Sequence, residues 1–483
     1  MIPHAKTYQA DEMIQKRRWS ILVILNLIVF MSTLDGSIVN IALPVISKEL
    51  HLPISQTQWI VSGYLITVCT FILLFGKLGD LFGKIKIFKI GAIIFLLGSL
   101  LCGFSSSLRM LVLFRIIQAI GASMTMANSQ GIITEIFPPN ERGKALGLIG
   151  TFVSLGSIAG PSLGGILVSS LGWEYIFWVN IPIGLIIIAI GWRILPVDIT
   201  FVKAKLDLIG SFLFSIFIIS LFTGLLLGQQ AGYEDIRILV SFTITVFTFF
   251  LFIRVEKQKS DPMLQLALFK NQSFSVSILC GFLTFVATFC FNILAPFYTQ
   301  NILHLSPVNA GLLLMLFPIT MAVAAPLSGA LSDKIGSELL TFAGLLVMVI
   351  AQVGFSTLHM GSSILTFGLL VALLGVGNGL FQSPNNSLVM SSVQRSQLGI
   401  AGSVNSLVRN IGMVVGISVA TTSLFSVMSS KAGYRVTDLI PNRPDIFIEG
   451  MHFVFIGSAS ICLFSALFTG WRLLKSKAAI SHL

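Results

Sequence analysis

Apolar residues in this chain come in long unbroken runs, each closed by a short cluster of glycine, proline and charge. The first, WSILVILNLIVFMSTLDGSIVNIALPVI, reaches from Trp19 to Ile46. A hydrocarbon layer about 30 Å thick is crossed by about 20 apolar residues in helical form. A helix meets its own backbone hydrogen bonds, which lipid cannot supply. Fourteen runs meet this length, at 19–46, 57–75, 87–105, 109–135, 145–170, 174–195, 206–228, 236–254, 272–299, 308–331, 338–358, 362–391, 398–427 and 450–473. The pattern predicts an all-α integral membrane protein with fourteen transmembrane helices and no room for a soluble domain.

Composition agrees. Of 483 residues 55% are hydrophobic and 10% charged, with mean hydropathy +0.93, against roughly a quarter charged in soluble proteins. The net charge of +11 sits between the runs, so it speaks of orientation rather than of nucleic acid. An even number of spans puts both ends on one side. Loops on that side carry most of the Lys and Arg, among them Arg17, Arg18, Lys84, Lys86, Lys89, Lys257 and Lys259. The positive-inside rule then makes both termini cytoplasmic, in the cell membrane. Cys69, Cys102, Cys280, Cys290 and Cys462 all lie in apolar runs, so neither a disulfide framework nor a metal pair is expected. There is no HExxH, nucleophile elbow or phosphate loop. The expectation is a chain that is not an enzyme, holds no metal or cofactor, and draws energy from an ion gradient.

The chain repeats itself. GKLGDLFGKIKIFKIG (76–91) is echoed by GALSDKIGSELLTFAG (329–344), and ERGKALGL (141–148) by QRSQLGIA (394–401). This predicts a cytoplasmic segment 1–18, a six-helix bundle 19–195, an inserted helix pair 196–270, a second six-helix bundle 271–474 and a tail 475–483. Two parallel repeats are the plan of a secondary transporter.

Charged and amide side chains inside the runs are the candidate site. Asp35 lies about 24 Å along its helix from Trp19, deep enough that a carboxylate is costly and functional by default. Arg115 is its natural partner, with Gln118 on the same helical face. In the second half Asn378, Gln382 and Asn385 share one face, as do Asn405 and Arg409, while Asn292 interrupts a phenylalanine-rich run. Together with Asp35 and Gln118 these are the candidate substrate-binding residues. Gly156, Gly160 and Gly164, four apart, strip one helix face for close packing, with Pro161 adding a bend.

These stretches resemble the major facilitator superfamily, specifically its fourteen-span drug:proton antiporters, over essentially the whole chain. LDGSIVNIALP is similar to the family's first-span signature and RIIQAIGAS (115–123) to its fourth-span arginine motif. GSIAGPSLGG (156–165) fits the antiporter motif, and WEYIFWVNIPIG (173–184) the sixth-span motif, with Glu174 where arginine is usual. GKLGDLFGKIK matches the loop after span two. The resemblance implies proton coupling through Asp35 and Arg115. It also implies a latch made by Gly76, Asp80, Gly83 and Lys84, with Asp333 as the second-half counterpart, and antiporter packing by Gly156, Gly160, Pro161, Gly164 and Gly165. The function expected is a monomeric, proton-coupled exporter of hydrophobic or cationic small molecules working by alternating access. Because Asp35 is the sole acid of the predicted core against two arginines, the rival reading is a carrier of a zwitterionic or anionic metabolite such as an amino acid. A lipid or amphiphile translocator and a non-transporting membrane scaffold are the readings from other classes.

Overall fold

The computed structural model describes residues 8–199, 207–259, 262, 264–394, 398–440 and 443–481. Among them fourteen helices are long and apolar enough to cross a membrane. In chain order, spans 1 to 7 are Glu12–Glu49, Ile54–Phe82, Lys84–Cys102, Leu108–Ile136, Thr151–Ser170, Tyr175–Ile194 and Leu208–Gly228. Spans 8 to 14 are Ile236–Gln258, Gln272–Ile302, Pro307–Ser332, Ser337–Phe355, Ile364–Ser391, Val404–Ala432 and Pro444–Leu474. The protein is thus an all-helical, multi-pass membrane protein.

Several helices outrun their apolar runs because polar caps lie beyond the lipid-length core. Span 1 begins at Asp11, whose side chain accepts from the N–H groups of Met13 and Ile14. Ser107 caps span 4 and Ser363 caps span 12 in the same way. Two spans break where a proline withholds its N–H from the carbonyl four residues back. Pro182 does this at Val179 in span 6, and Pro318 at Met315 in span 10. Span 9 ends in a π-helical turn, Tyr298–Ile302, just after Pro296.

Packing repeats with the sequence. Spans 3 and 4, 2 and 4, 1 and 5, and 3 and 6 pack along one another; so do 11 and 12, 10 and 12, 9 and 13, and 11 and 14. Each pair in the second set is its first-set equivalent moved on by eight spans. The cross-contacts obey the same exchange, since span 5 meets span 10 and span 13 meets span 2. Glycine permits the 1–5 and 9–13 contacts. A Cβ on Gly160 would stand 1.8 Å from Ser37 Oγ and 3.0 Å from Ile38 N, and one on Gly416 would stand 2.5 Å from Val286 O. Spans 7 and 8 pair with each other, and span 7 lies against spans 2 and 13.

Hydrogen bonds join spans 1–6 to spans 9–14 and their loops on the face opposite the N-terminus. Thr421 Oγ1 donates to Gln58 Oε1 at 2.7 Å and Gln300 Nε2 to Ile41 O at 3.1 Å. Ile54 N reaches Asp438 Oδ1 at 3.3 Å, and Ser55 N reaches Thr437 O at 3.3 Å. Beside them the backbones of spans 5 and 10 touch. A Cβ on Gly311 would lie 2.1 Å from Pro161 O, and one on Gly165 2.5 Å from Pro307 O. The protein is closed on this face. Gly311→Val should therefore prise it open. With Gln58→Cys as reporter, a membrane-impermeant maleimide should react several-fold faster in Gly311→Val than in the parent. Background will be low because the five native cysteines are buried.

Candidate functional site

Asp35 lies wholly out of solvent, 0% exposed, and Arg115 beside it is 1% exposed. Arg115 Nη1 donates to Asp35 Oδ2 at 2.5 Å and to Gln118 Oε1 at 2.6 Å, and its Nε donates to Ile60 O at 3.2 Å. Gln118 Nε2 donates to Asp35 Oδ1 at 2.8 Å and to Ser99 Oγ at 2.7 Å. Asn180 Nδ2 gives Asp35 Oδ1 a further bond at 3.0 Å. The guanidinium lies over the Tyr64 ring, 4.2 Å from its centroid. Five spans, 1, 2, 3, 4 and 6, therefore converge on one carboxylate.

Local structure explains the convergence. Arg115 and Gln118 are one helical turn apart, so both point the same way from span 4. The break at Val179 makes Asn180 the first residue of a new helix and sets its amide against Asp35. Arg115 is seven residues in from Leu108, the first residue of its helix, about 10 Å along it. The cluster thus sits toward the closed face.

Three donors meet two carboxylate oxygens, and one more acceptor stands by. Asn180 Oδ1 is buried and has no hydrogen-bond partner. The donors take three of the roughly four lone-pair sites of the carboxylate, and a half-turn of the Asn180 amide would turn its oxygen toward Asp35 in place of its N–H.

The second-half residues are placed differently. Asn378 Nδ2 donates to Thr288 Oγ1 at 2.8 Å and Asn385 Nδ2 to Ser277 O at 3.1 Å. Both are buried and tie span 12 to span 9. Asn405 Nδ2 bonds Asn386 Oδ1 at 3.0 Å. Gln382 and Asn292 are half-buried. Arg409 forms no ion pair among the described residues, and its Nε is buried without a hydrogen-bond partner. The structure does not bring these side chains into the Asp35 cluster. Where the first half holds that cluster, the second holds rings: Phe355 packs on Phe291, Phe367 and Phe455 with centroids 5.1, 5.8 and 5.1 Å apart.

At the loop after span 2, Lys84 Nζ bridges Asp80 and Glu135, each at 2.7 Å. Gly83 turns there with φ +104°. A Cβ on it would meet Asp198, 2.3 Å from Oδ2, because that carboxylate accepts from Ile85 N and Lys86 N at 2.9 Å each. An acid on the first turn of a helix is well placed against its dipole. A Cβ on Gly76 would have Ala127 Cβ at 3.9 Å, ordinary contact. The side chain of Asp333 lies outside the described residues.

Sequence reasoning missed Asn180, Ser99, Tyr64, Glu135 and Asp198. Asn180 alone carried a signal, as the one amide in the sixth-span motif.

The sequence pattern of the Major Facilitator Superfamily matches residues 25–417. The riboflavin transporter RibZ of Clostridioides difficile is 34% identical over 96% of this chain and the whole of its own length. The multidrug transporter protein MdtP of Bacillus subtilis is 31% identical over 88% of this chain and 78% of its own. The tetracenomycin C resistance and export protein of Streptomyces glaucescens is also 31% identical over 88% of this chain and 78% of its own. Among solved structures the xylose transporter XylE from E. coli superposes with TM-score 0.64 at 14% identity, over 95% of this chain and 98% of that one. That likeness bears on the fold alone.

Breaking a buried pair strands a charge at a cost of about 3–5 kcal/mol. Arg115→Gln alone should lower the thermal unfolding temperature in detergent sharply, and adding Asp35→Asn should restore most of it. An additive double variant would mean that the two side chains do not act as a pair.

Proposed function

The chain belongs to the major facilitator superfamily and is a small-molecule transporter, not an enzyme; from that premise we propose a proton-coupled exporter of hydrophobic, drug-like compounds that works by alternating access. The observation that carries this is the buried Asp35, held by three donors from two other spans. In the closed-face state it is ionised and held by Arg115, Gln118 and Asn180. A proton arriving from the other state neutralises it and frees Arg115, and the five spans they tie must shift. Proton occupancy thus biases one state over the other, which is what coupling requires.

The rest of the proposal follows the repeat. Residues 19–195 and 271–474 are the moving bundles and 196–270 the inserted pair, in a monomer of the cell membrane with cytoplasmic termini. Asp80 and Asp333 latch the opposite state. Substrate lies between Asp35 and Gln118 on one side and Asn292, Gln382, Asn405 and Arg409 on the other, with Asn378 and Asn385 holding the wall behind them.

A second reading has its own support. Arg115 already neutralises Asp35, so the pair offers no free acid to a cation, whereas Arg409 has no ion-pair partner among the described residues. Together with the 34% identity to a riboflavin transporter, this favours an anionic, zwitterionic or uncharged aromatic metabolite over a lipophilic cation.

Flux in proteoliposomes under an imposed pH gradient tests both, with tetraphenylphosphonium, riboflavin and amino acids as rival substrates. Asp35→Asn should abolish proton-driven flux of whichever compound is moved; wild-type coupling in that variant would sink the proton assignment. Arg409→Gln should weaken transport of an anion at least several-fold and leave a cation unaffected.

A further inference from the structure

The inserted pair of helices carries ionisable groups that the transport reading does not use. Asp207 caps the start of span 7 and Glu256 lies in the last turn of span 8, with 7% and 2% of their surfaces exposed. Two of the four carboxylate oxygens have donors. Asp207 Oδ1 accepts from Lys259 Nζ and, at 2.6 Å, from Gly210 N. Glu256 Oε2 accepts from Leu264 N at 2.8 Å. The remaining oxygens, Asp207 Oδ2 and Glu256 Oε1, are buried and have no donor among the described residues. Both lie close to the place that a Cβ on Gly210 would fill, at 2.5 and 2.6 Å from it, and the two carboxyl groups are within side-chain hydrogen-bonding reach.

Two carboxylates that face each other cannot both stay ionised out of water. A proton between them supplies the missing donor for one oxygen and the acceptor for the other. We propose that Asp207 and Glu256 form a second proton-binding site, separate from Asp35, in which one proton is held between Glu256 Oε1 and Asp207 Oδ2.

The charge count supports one proton and no metal ion. With Glu256 neutral, Asp207 and Lys259 cancel, and the buried group carries no net charge. Calcium takes six to eight oxygens and magnesium about six, whereas two are offered here. Lys259 already fills the cation's place on Asp207. Burial works against the Asp207 charge, but donation from Lys259 and Gly210 outweighs it and holds that carboxyl below its usual range. Asp207 is therefore the acceptor and Glu256 the donor. Of the charged groups on the packed elements, Arg254, Lys257 and Lys259 belong to span 8 and its tail. Lys77 and Asp80 belong to span 2, and Arg409 and Lys431 to span 13. Among these described groups, Lys259 acts on the pair. The site also holds the connection to the second half, since Glu256 fixes Leu264, and Asn271 Nδ2 further along donates to Ser392 O at 2.7 Å.

Infrared difference spectra of the purified full-length protein, stepped between about pH 5 and about pH 9, read the proton directly. A protonated-carboxyl band should titrate in the parent and in Asp35→Asn, and vanish in Glu256→Gln. In Asp207→Asn it should shift, because an amide replaces the acceptor. An unchanged band in both Glu256→Gln and Asp207→Asn overturns the site, whatever those variants do to transport. Loss of the band in Asp35→Asn alone overturns it as well, and assigns the titrating proton to the central acid.

Discussion

The bond between Arg115 and Asp35 is the constraint on which the first half is built. Neither charge has access to water, and an ion of that size moved from water into protein loses several kcal/mol of solvation. The pair persists because every nearby polar group is turned toward it. Gln118 accepts from one member and donates to the other, Asn180 and Ser99 close the ring, and Tyr64 presents its π face. A network satisfied to this degree is stiff in one arrangement and expensive to leave half-broken. Under the proposed coupling, that is a reason for five helices to move together.

The two halves share a packing plan but not a chemistry. Contacts between spans repeat on moving eight spans along the chain, down to glycines against carbonyls at Gly156 and Gly412. Yet the ionic cluster has no copy: the second half is filled by phenylalanine, and its amides tie helices to each other. The repeat is thus one of backbone packing, and the buried ion pair at Asp35 and Arg115 belongs to the first half alone among the described residues.

The fold was legible because lipid enforces it. No other structure satisfies the backbone over fourteen apolar runs, and the repeat in the loops fixed how those runs group. Helix ends were less so, since caps such as Asp11 and Ser107 lie outside the apolar stretch. Asp35, Arg115 and Gln118 could be read from the sequence, two as charges misplaced in lipid and the third by sharing a face. Asn180 and Ser99 could not. An uncharged polar residue in a span is common, and the one that mattered stands 145 positions from Asp35. Asn378 and Asn385 show the reverse case. Their shared face was visible, but only the structure shows it turned to span 9 rather than to the middle of the protein. Asp198 lies beyond any apolar run, and nothing in its neighbours announces that it caps span 3.

Span 5 joins the acid to the closed face. One edge of it lies on span 1 through Gly156, Gly160 and Gly164, opposite Phe30, Ser37 and Ile38. Ser37 is two residues from Asp35, and its hydroxyl also donates to Gly156 O at 3.2 Å. The other edge meets span 10 through Pro161 and Gly165, opposite Gly311 and Pro307. At its glycines span 5 brings no side chain of its own to either contact that could absorb a shift. A displacement of span 1 must therefore pass into span 5 and reach the closure within about one helical turn. If Asp35 changes partners as proposed, these glycine faces are the route by which span 1 reaches the closure on the far face.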